Sequence, residues 1–316
     1  MKKRLCSFAL FCCATLLFTG CAGSTVSSVS LGSSWNKDTP ATYTYTVTMQ
    51  PSDFENSSGY EFTLTSGTYT TKITPRKVGE ESYLDYETVL SVTGKYTVTA
   101  TGEEIEVNDV TTSKTVLHEI NTYSLFPVST EKTILQTGAC QTISGYELNR
   151  YDMKYAISYN YEEKTATTTL YQKNADTGEY DLPLENVAPT RTYKKLKPGA
   201  FFDNDAILFT LRAFPIAKSA GTEFTTIDVI NAKKTSLYFM VQNVDPYVHE
   251  LTVNGEKTQF EVLPADVSIR TNMSGTAYNL IIGLTVGKNK NVPLLITSEM
   301  PYGLGKLVYS LTSFTD

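Results

Sequence analysis

Residues Thr42-Tyr43-Thr44-Tyr45-Thr46-Val47-Thr48-Met49 alternate without a break between threonine and a larger apolar or aromatic side chain. Successive side chains of an extended chain point to opposite faces. The stretch therefore sends its threonines one way and Tyr43, Tyr45, Val47 and Met49 the other. Threonine, tyrosine and valine suit this state because branched and aromatic side chains pack well on a pleated surface. The segment reads as a strand with one face in a core and one in water. The same period returns at Tyr155, Ile157, Tyr159 and Tyr161, at Leu237, Phe239 and Val241, at Leu280, Ile282, Leu284 and Val286, and at Leu307, Tyr309 and Leu311.

Turn chemistry punctuates these runs. Ser66-Gly67, Thr93-Gly94, Thr101-Gly102, Thr177-Gly178, Asn254-Gly255 and Ser274-Gly275 lie between alternating segments. Asn-Gly is the strongest two-residue hairpin signal, since both residues tolerate positive φ. No strand-helix-strand rhythm appears, which argues against a parallel sheet. The expected fold class is all-β: large curved antiparallel sheets forming a half-open barrel or a sandwich.

One segment breaks the period. Residues 203–217 read DNDAILFTLRAFPIA. Asp203 or Asp205 can cap a helix start, and Ile207, Leu208, Leu211 and Phe214 recur at helical spacing. Pro215 ends the run because it disfavours helix at the residue before it. This predicts a short amphipathic helix at about 204–214, acting either as a plug in an open end of the sheet or as a lid over a ligand cavity. Its apolar residues Ile207, Leu208, Leu211 and Phe214 are the candidate lid or cavity residues.

With 316 residues, 41% hydrophobic and 19% charged, the chain has too much apolar content to be disordered. Its first residues read as an address. Lys2, Lys3 and Arg4 precede an uncharged, mostly apolar run from Leu5 to Phe18, which at 14 residues is too short for a spanning helix. It ends in Leu17-Phe18-Thr19-Gly20-Cys21, which resembles a bacterial lipobox whose cysteine carries diacylglycerol and palmitate. The organisation expected is a lipoprotein signal peptide at 1–20, a Ser/Gly tether at 21–35 and a β-domain at 36–316, with two lobes meeting near 185–200. Lipidated Cys21 would anchor the chain in the cell envelope, on the outer face of the cytoplasmic membrane or in the outer membrane.

Loss of residues 1–20 removes three of the 27 basic residues and none of the 33 acids, leaving a net charge of -9. Such a domain is repelled by phosphate backbones, so nucleic acid is not expected as a partner. Cys140 is then left without a cysteine to pair with and reads as a small buried hydrophobe.

Catalytic constellations are sparse. His118-Glu119 and His249-Glu250 lack the second histidine that a zinc helix needs, and no cofactor or metal is expected. Ser129-Thr130-Glu131-Lys132 and Lys234-Thr235-Ser236 echo the Ser-x-x-Lys and Lys-Thr-Gly elements of penicillin-recognising enzymes, but in surroundings that read as loop and strand. Asn174, Asp176, Glu179 and Asp181 cluster in a turn without the twelve-residue calcium pattern. The 21 tyrosines either fill the core or form exposed rows that could serve adhesion or scaffolding.

The helical stretch resembles a family of bacterial envelope β-sheet proteins known only as a domain of unknown function, in which an Asp precedes an apolar helix, an Arg nine positions on, and a Pro. Asp203, Arg212 and Pro215 stand at those places and form its structural motif. A second family signature is an apolar-flanked Pro strand followed by Gly-x-Ile/Val-x-Ala-x-Leu. Val292-Pro293-Leu294-Leu295-Ile296 and Gly305-Lys306-Leu307-Val308-Tyr309-Ser310-Leu311 match it, with Tyr309 where the family favours Ala. Gly287-Lys288-Asn289 stands where the family often has Ser-x-Asp. The resemblance covers 150–316. It implies a curved antiparallel sheet around an open cavity, similar in outline to Lol-type lipoprotein carriers, and no assigned activity. The expected function is a lipid-anchored extracytoplasmic binding or carrier protein for an apolar ligand or envelope partner, without catalysis. The alternatives are a Tyr-row adhesion or scaffold module and a Ser-Lys hydrolase.

Overall fold

The computed structural model describes residues 29–30, 39–121, 124–142, 145–184, 188–196, 201–202, 208–213, 216–228, 233–269 and 275–316. Cys21, Asp203, Ile207, Phe214 and Pro215 lie outside the described residues, as does most of the expected tether. Two residues of that tether, Val29–Ser30 (β1), pair with Leu125 and Ser124.

The first meander runs through β2 (Ala41–Gln50), β3 (Tyr60–Val78), β4 (Glu81–Val98), β5 (Glu104–Asn121), β6 (Ser124–Thr142), β7 (Gly145–Asn160) and β8 (Thr165–Gln172). Each strand is antiparallel to the next. β9 (Leu182–Pro183) and β10 (Thr190–Lys194) both fold back onto β8. The second meander comprises β12 (Gly221–Asp228), β13 (Lys233–Val241), β15 (Glu256–Ile269), β16 (Gly275–Val286), β17 (Asn289–Glu299) and β18 (Lys306–Thr315). β14 (Tyr247–Val253) takes the first half of the β15 edge and β13 the second, while β11 (Phe201–Phe202) adds a short parallel pair on β12.

The two meanders fuse where the last strand meets the first long one: β18 pairs with β2 from Lys306↔Gln50 to Thr315↔Thr42. The result is one large, essentially antiparallel sheet that is not closed into a barrel. Of the two expected architectures, the open curved sheet holds and the sandwich does not.

In β2 the alternation predicted from sequence appears as Ala41, Tyr43, Tyr45 and Val47 buried, with Thr46 and Thr48 exposed. A strand of 19 residues such as β3 runs about 65 Å, too long to keep one parity throughout. A bulge between Leu64 and Ser66 resets it. Phe62 faces inward before the bulge, and Tyr69, Thr71 and Ile73 are buried after it. A one-residue insertion is what lets even and odd positions share one face.

Ser66-Gly67 and Thr93-Gly94, expected as turns, lie inside β3 and β4, where Ser66 pairs with Thr93 and Leu64 with Gly94. Their glycines serve close packing: a Cβ on Gly94 would stand 2.4 Å from the Thr63 carbonyl oxygen, and one on Gly67 would stand 2.7 Å from Val47 Cβ. Asn254-Gly255 is the hairpin turn expected, with φ of 53° and 83°, and Gly102 and Gly178 also sit in turns at positive φ. Ser274 lies outside the described residues.

Pro293, in a central strand, would ordinarily break a ladder. It sits at a register shift, where Ile281 pairs with Leu295 and Ile282 with Pro293. The flanking Val292, Leu294 and Ile296 are all buried.

Candidate functional site

Helical residues in the 203–217 stretch are confined, among the described residues, to 208–213, of which Leu211–Ala213 form a 3-10 turn. The expected helix had one apolar side. Instead Phe209, Thr210, Leu211 and Arg212 are buried one after another, so the turn is enclosed on several sides and does not lie on a surface. Phe209 enters the cluster of Ile73, Leu84, Tyr86, Leu117 and Leu125 in the first meander, its ring 4.9 Å from that of Tyr86. Leu211 enters the cluster built mostly from the second meander. Arg212 lays its guanidinium 4.3 Å above the Tyr43 ring, and Asn291 Nδ2 donates to the Arg212 carbonyl at 3.4 Å. The turn thus bridges the two halves of the sheet from its concave side. Phe209, absent from the candidate residues, is its deepest side chain in the first meander. Leu208 is only partly buried and lines a cavity.

That cavity has a volume of about 120 Å³, within a wider open concavity of about 1090 Å³ that includes solvent space. By the roughly 10–15 Å³ one water centre needs, this partly open cavity has room for several waters or methylenes. Its apolar wall consists of Phe62 and Tyr69 from β3, Leu90, Val92 and Tyr96 from β4, Leu208, Tyr278 from β16, Ile296 from β17, and Leu307 and Tyr309 from β18. Polar positions come from Thr88, Asp109, Thr111, Gln136, Thr137, Ser298 and Glu299. β17 and β6 are six steps apart in the sheet, which on a flat sheet is about 29 Å. Both border one cavity, so the sheet is strongly curved around it.

One end is drawn in by the loop after β17. The Tyr302 and Tyr146 rings meet at 4.9 Å, and Leu304 packs with Ala139 and Tyr96. Tyr302 and Gly303 both adopt positive φ there, and a Cβ on Gly303 would stand 2.4 Å from the Glu55 carbonyl oxygen.

Among the described residues, Asp109 and Glu299 are the charged members of the wall, and no lysine, arginine or histidine lines the cavity. Glu299 is compensated: Lys306 Nζ lies 3.4 Å from its Oε1, and Ser52 Oγ donates to Oε2 at 2.9 Å. Asp109 Oδ2 accepts the Thr137 backbone N–H at 2.9 Å, while its buried Oδ1 has no hydrogen-bond partner. Burial pushes the Asp109 carboxyl up to about 6, against the lowering effects of the Thr137 hydrogen bonds and the Arg150 charge. Asp109 falls on the inward parity of Ile105, Val107, Asp109 and Thr111, so an acid on the apolar face of a strand was its available signal in the sequence.

The remaining candidates are not brought together. Ser129 and Lys132 sit three apart on β6, and the pleat sends them to opposite faces: Lys132 is buried, and Ser129 lies on the other side, beside Val116. The Ser-x-x-Lys reading therefore has no assembled pair. His118, on β5, stacks on Tyr83 at 4.6 Å, and His249 lies on β14. Asn174, Asp176 and Glu179 form a self-bonded turn, and no metal-holding group of side chains occurs among the described residues. Cys140 is buried. Tyr43, Tyr45, Tyr69, Tyr86, Tyr96 and Tyr155 fill the core; Tyr247 is the one strongly exposed tyrosine among the described residues.

Searches of protein-family models, of curated proteins and of solved structures find no match to this chain. No helix among the described residues is long and apolar enough to cross a membrane. The concave face, with its aromatic wall and the unpaired acid Asp109, is the candidate binding site.

Proposed function

We propose that this chain is a lipid-anchored extracytoplasmic binding or carrier protein, non-enzymatic, that holds an apolar ligand or an apolar segment of an envelope partner in the concavity beside Leu208. The observation that carries the reading is an aromatic and aliphatic cavity wall on the inner face of a sheet left open. A solid core would have offered no room. Ligand sites are concave and mostly apolar with a few placed polar groups, and this wall has that composition. The basic leader, its short apolar run and Gly20-Cys21 support an acyl anchor at Cys21, and the resemblance to envelope β-proteins supports the location.

Native mass spectrometry of the protein purified from its own host tests the ligand. A reproducible added mass of an apolar molecule is expected, and its absence across detergent-free preparations overturns the carrier reading. Growth with labelled palmitate tests the anchor: the chain takes up label and Cys21→Ser does not.

A further inference from the structure

Apolar walls alone leave the polar end of a ligand unspecified, and here the charged groups specify it. Among the described residues the cavity is bordered by two carboxylates and no cation. Glu299 has its charge paired by Lys306, 3.4 Å away, and one oxygen hydrogen-bonded by Ser52, although its Oε1 accepts no hydrogen bond. For Asp109, Thr137 satisfies Oδ2, while Oδ1 is withdrawn from solvent with nothing donating to it. A buried acceptor left unmade costs free energy that a donating ligand would return. An anionic head group, by contrast, would meet like charge at low dielectric and find no basic residue among the described residues of the wall.

We propose, building on the carrier reading above, that the site takes an amphiphile whose polar end is a hydrogen-bond donor, an amine or a hydroxyl, which donates to the Asp109 carboxylate. The apolar chain then lies along Leu90, Val92, Ile296 and Leu307. Fatty acids and phosphate-headed amphiphiles are selected against. The discrimination rests on Asp109, which makes it a specificity-determining residue with no chemical step assigned to it.

The test uses the full-length chain in its own membranes. Photoactivatable dodecylamine, dodecanol and dodecanoic acid are added in turn, and labelling of the wall segments 88–96, 105–111 and 296–309 is quantified by peptide mass spectrometry. The same is done for Asp109→Asn, which keeps the Thr137 acceptor, and for Asp109→Leu. Bilayer partitioning is common to the three proteins and cancels in the ratio between them. The amine-to-carboxylate labelling ratio is expected to fall by about tenfold in Asp109→Leu, the scale of one charge-assisted hydrogen bond, and by a smaller factor in Asp109→Asn. Equal ratios in all three proteins, with the wall still labelled, overturn the role of Asp109 and leave the carrier reading standing. A wall that no probe labels, in protein whose exposed segments are labelled normally, overturns both.

Discussion

The Tyr45 hydroxyl donates a 2.9 Å hydrogen bond to the backbone carbonyl of Pro293, 248 positions further along the chain. Tyr45 lies in β2 and Pro293 in β17, with β18 running between them. The bond therefore ties the first meander to the second across the strand that fuses them. Burial raises the Tyr45 phenol well above its usual range, so it stays a protonated donor at any physiological pH.

Tyr45→Phe keeps the ring and removes the donor. It is expected to cost about 1–2 kcal/mol, the penalty of a buried carbonyl stripped of its partner. Urea denaturation of the two proteins measures this as a lower midpoint at unchanged slope. An unchanged midpoint would show that the Pro293 carbonyl finds another donor.

The helical turn predicts a sharp contrast between adjacent residues. Phe209 is 1% exposed inside a five-residue apolar cluster, whereas Leu208 borders the cavity. Phe209→Ala is expected to destabilise by about 3–5 kcal/mol and Leu208→Ala by about 1 kcal/mol, because a side chain beside free space loses fewer contacts. Equal costs would mean that Leu208 is packed as tightly as Phe209.

Gly94→Ala tests the reassignment of Thr93-Gly94 from turn to strand. Its new methyl would stand 2.4 Å from a backbone oxygen of β3 and 2.9 Å from Phe62 Cζ. Neither neighbour yields cheaply, so a loss of about 1–3 kcal/mol is expected. In a solvent-facing turn at negative φ the same change would be nearly silent, and chemical denaturation separates the two outcomes.

Two aspartates give opposite pH signatures. Asp109 holds its proton up to about 6 in the folded protein, above the usual 3.8. Its ionisation therefore subtracts stability as pH rises from about 4 to about 6. Discounted for residual exposure, the loss is on the order of 1–2 kcal/mol. Asp85 behaves in reverse. Burial raises its pKa, but hydrogen bonds and charge from Lys114 and Arg76, each 2.9 Å away, outweigh burial and set it below the usual value. Its contribution is present above pH 3.8 and is lost as pH falls through its lowered folded pKa. Denaturation midpoints across pH 3–7 should show Asp109→Asn gaining on the parent between pH 4 and 6. Asp85→Asn should lose most above pH 4. A flat difference for Asp109→Asn would falsify the raised carboxyl.

Strand identity in β2, β7, β13 and β16 was written in the two-residue period, because on a pleated chain alternation alone sorts side chains between core and water. The Asn254-Gly255 turn was equally legible, since positive φ at two successive positions demands such residues. Local pattern could not carry the rest. It could not say that Gly67 and Gly94 lie inside strands, because a glycine that relieves a cross-strand clash looks like a glycine that makes a turn. It could not add Phe209 to Leu208 and Leu211, because a helical turn wedged between two sheet halves is buried on more sides than one periodicity describes. Nor could it join Tyr45 to Pro293 or bring Asp109 and Leu208 to one cavity. Those contacts exist only once β18 closes onto β2 and the sheet curves, and curvature belongs to the assembled strands, not to any one of them.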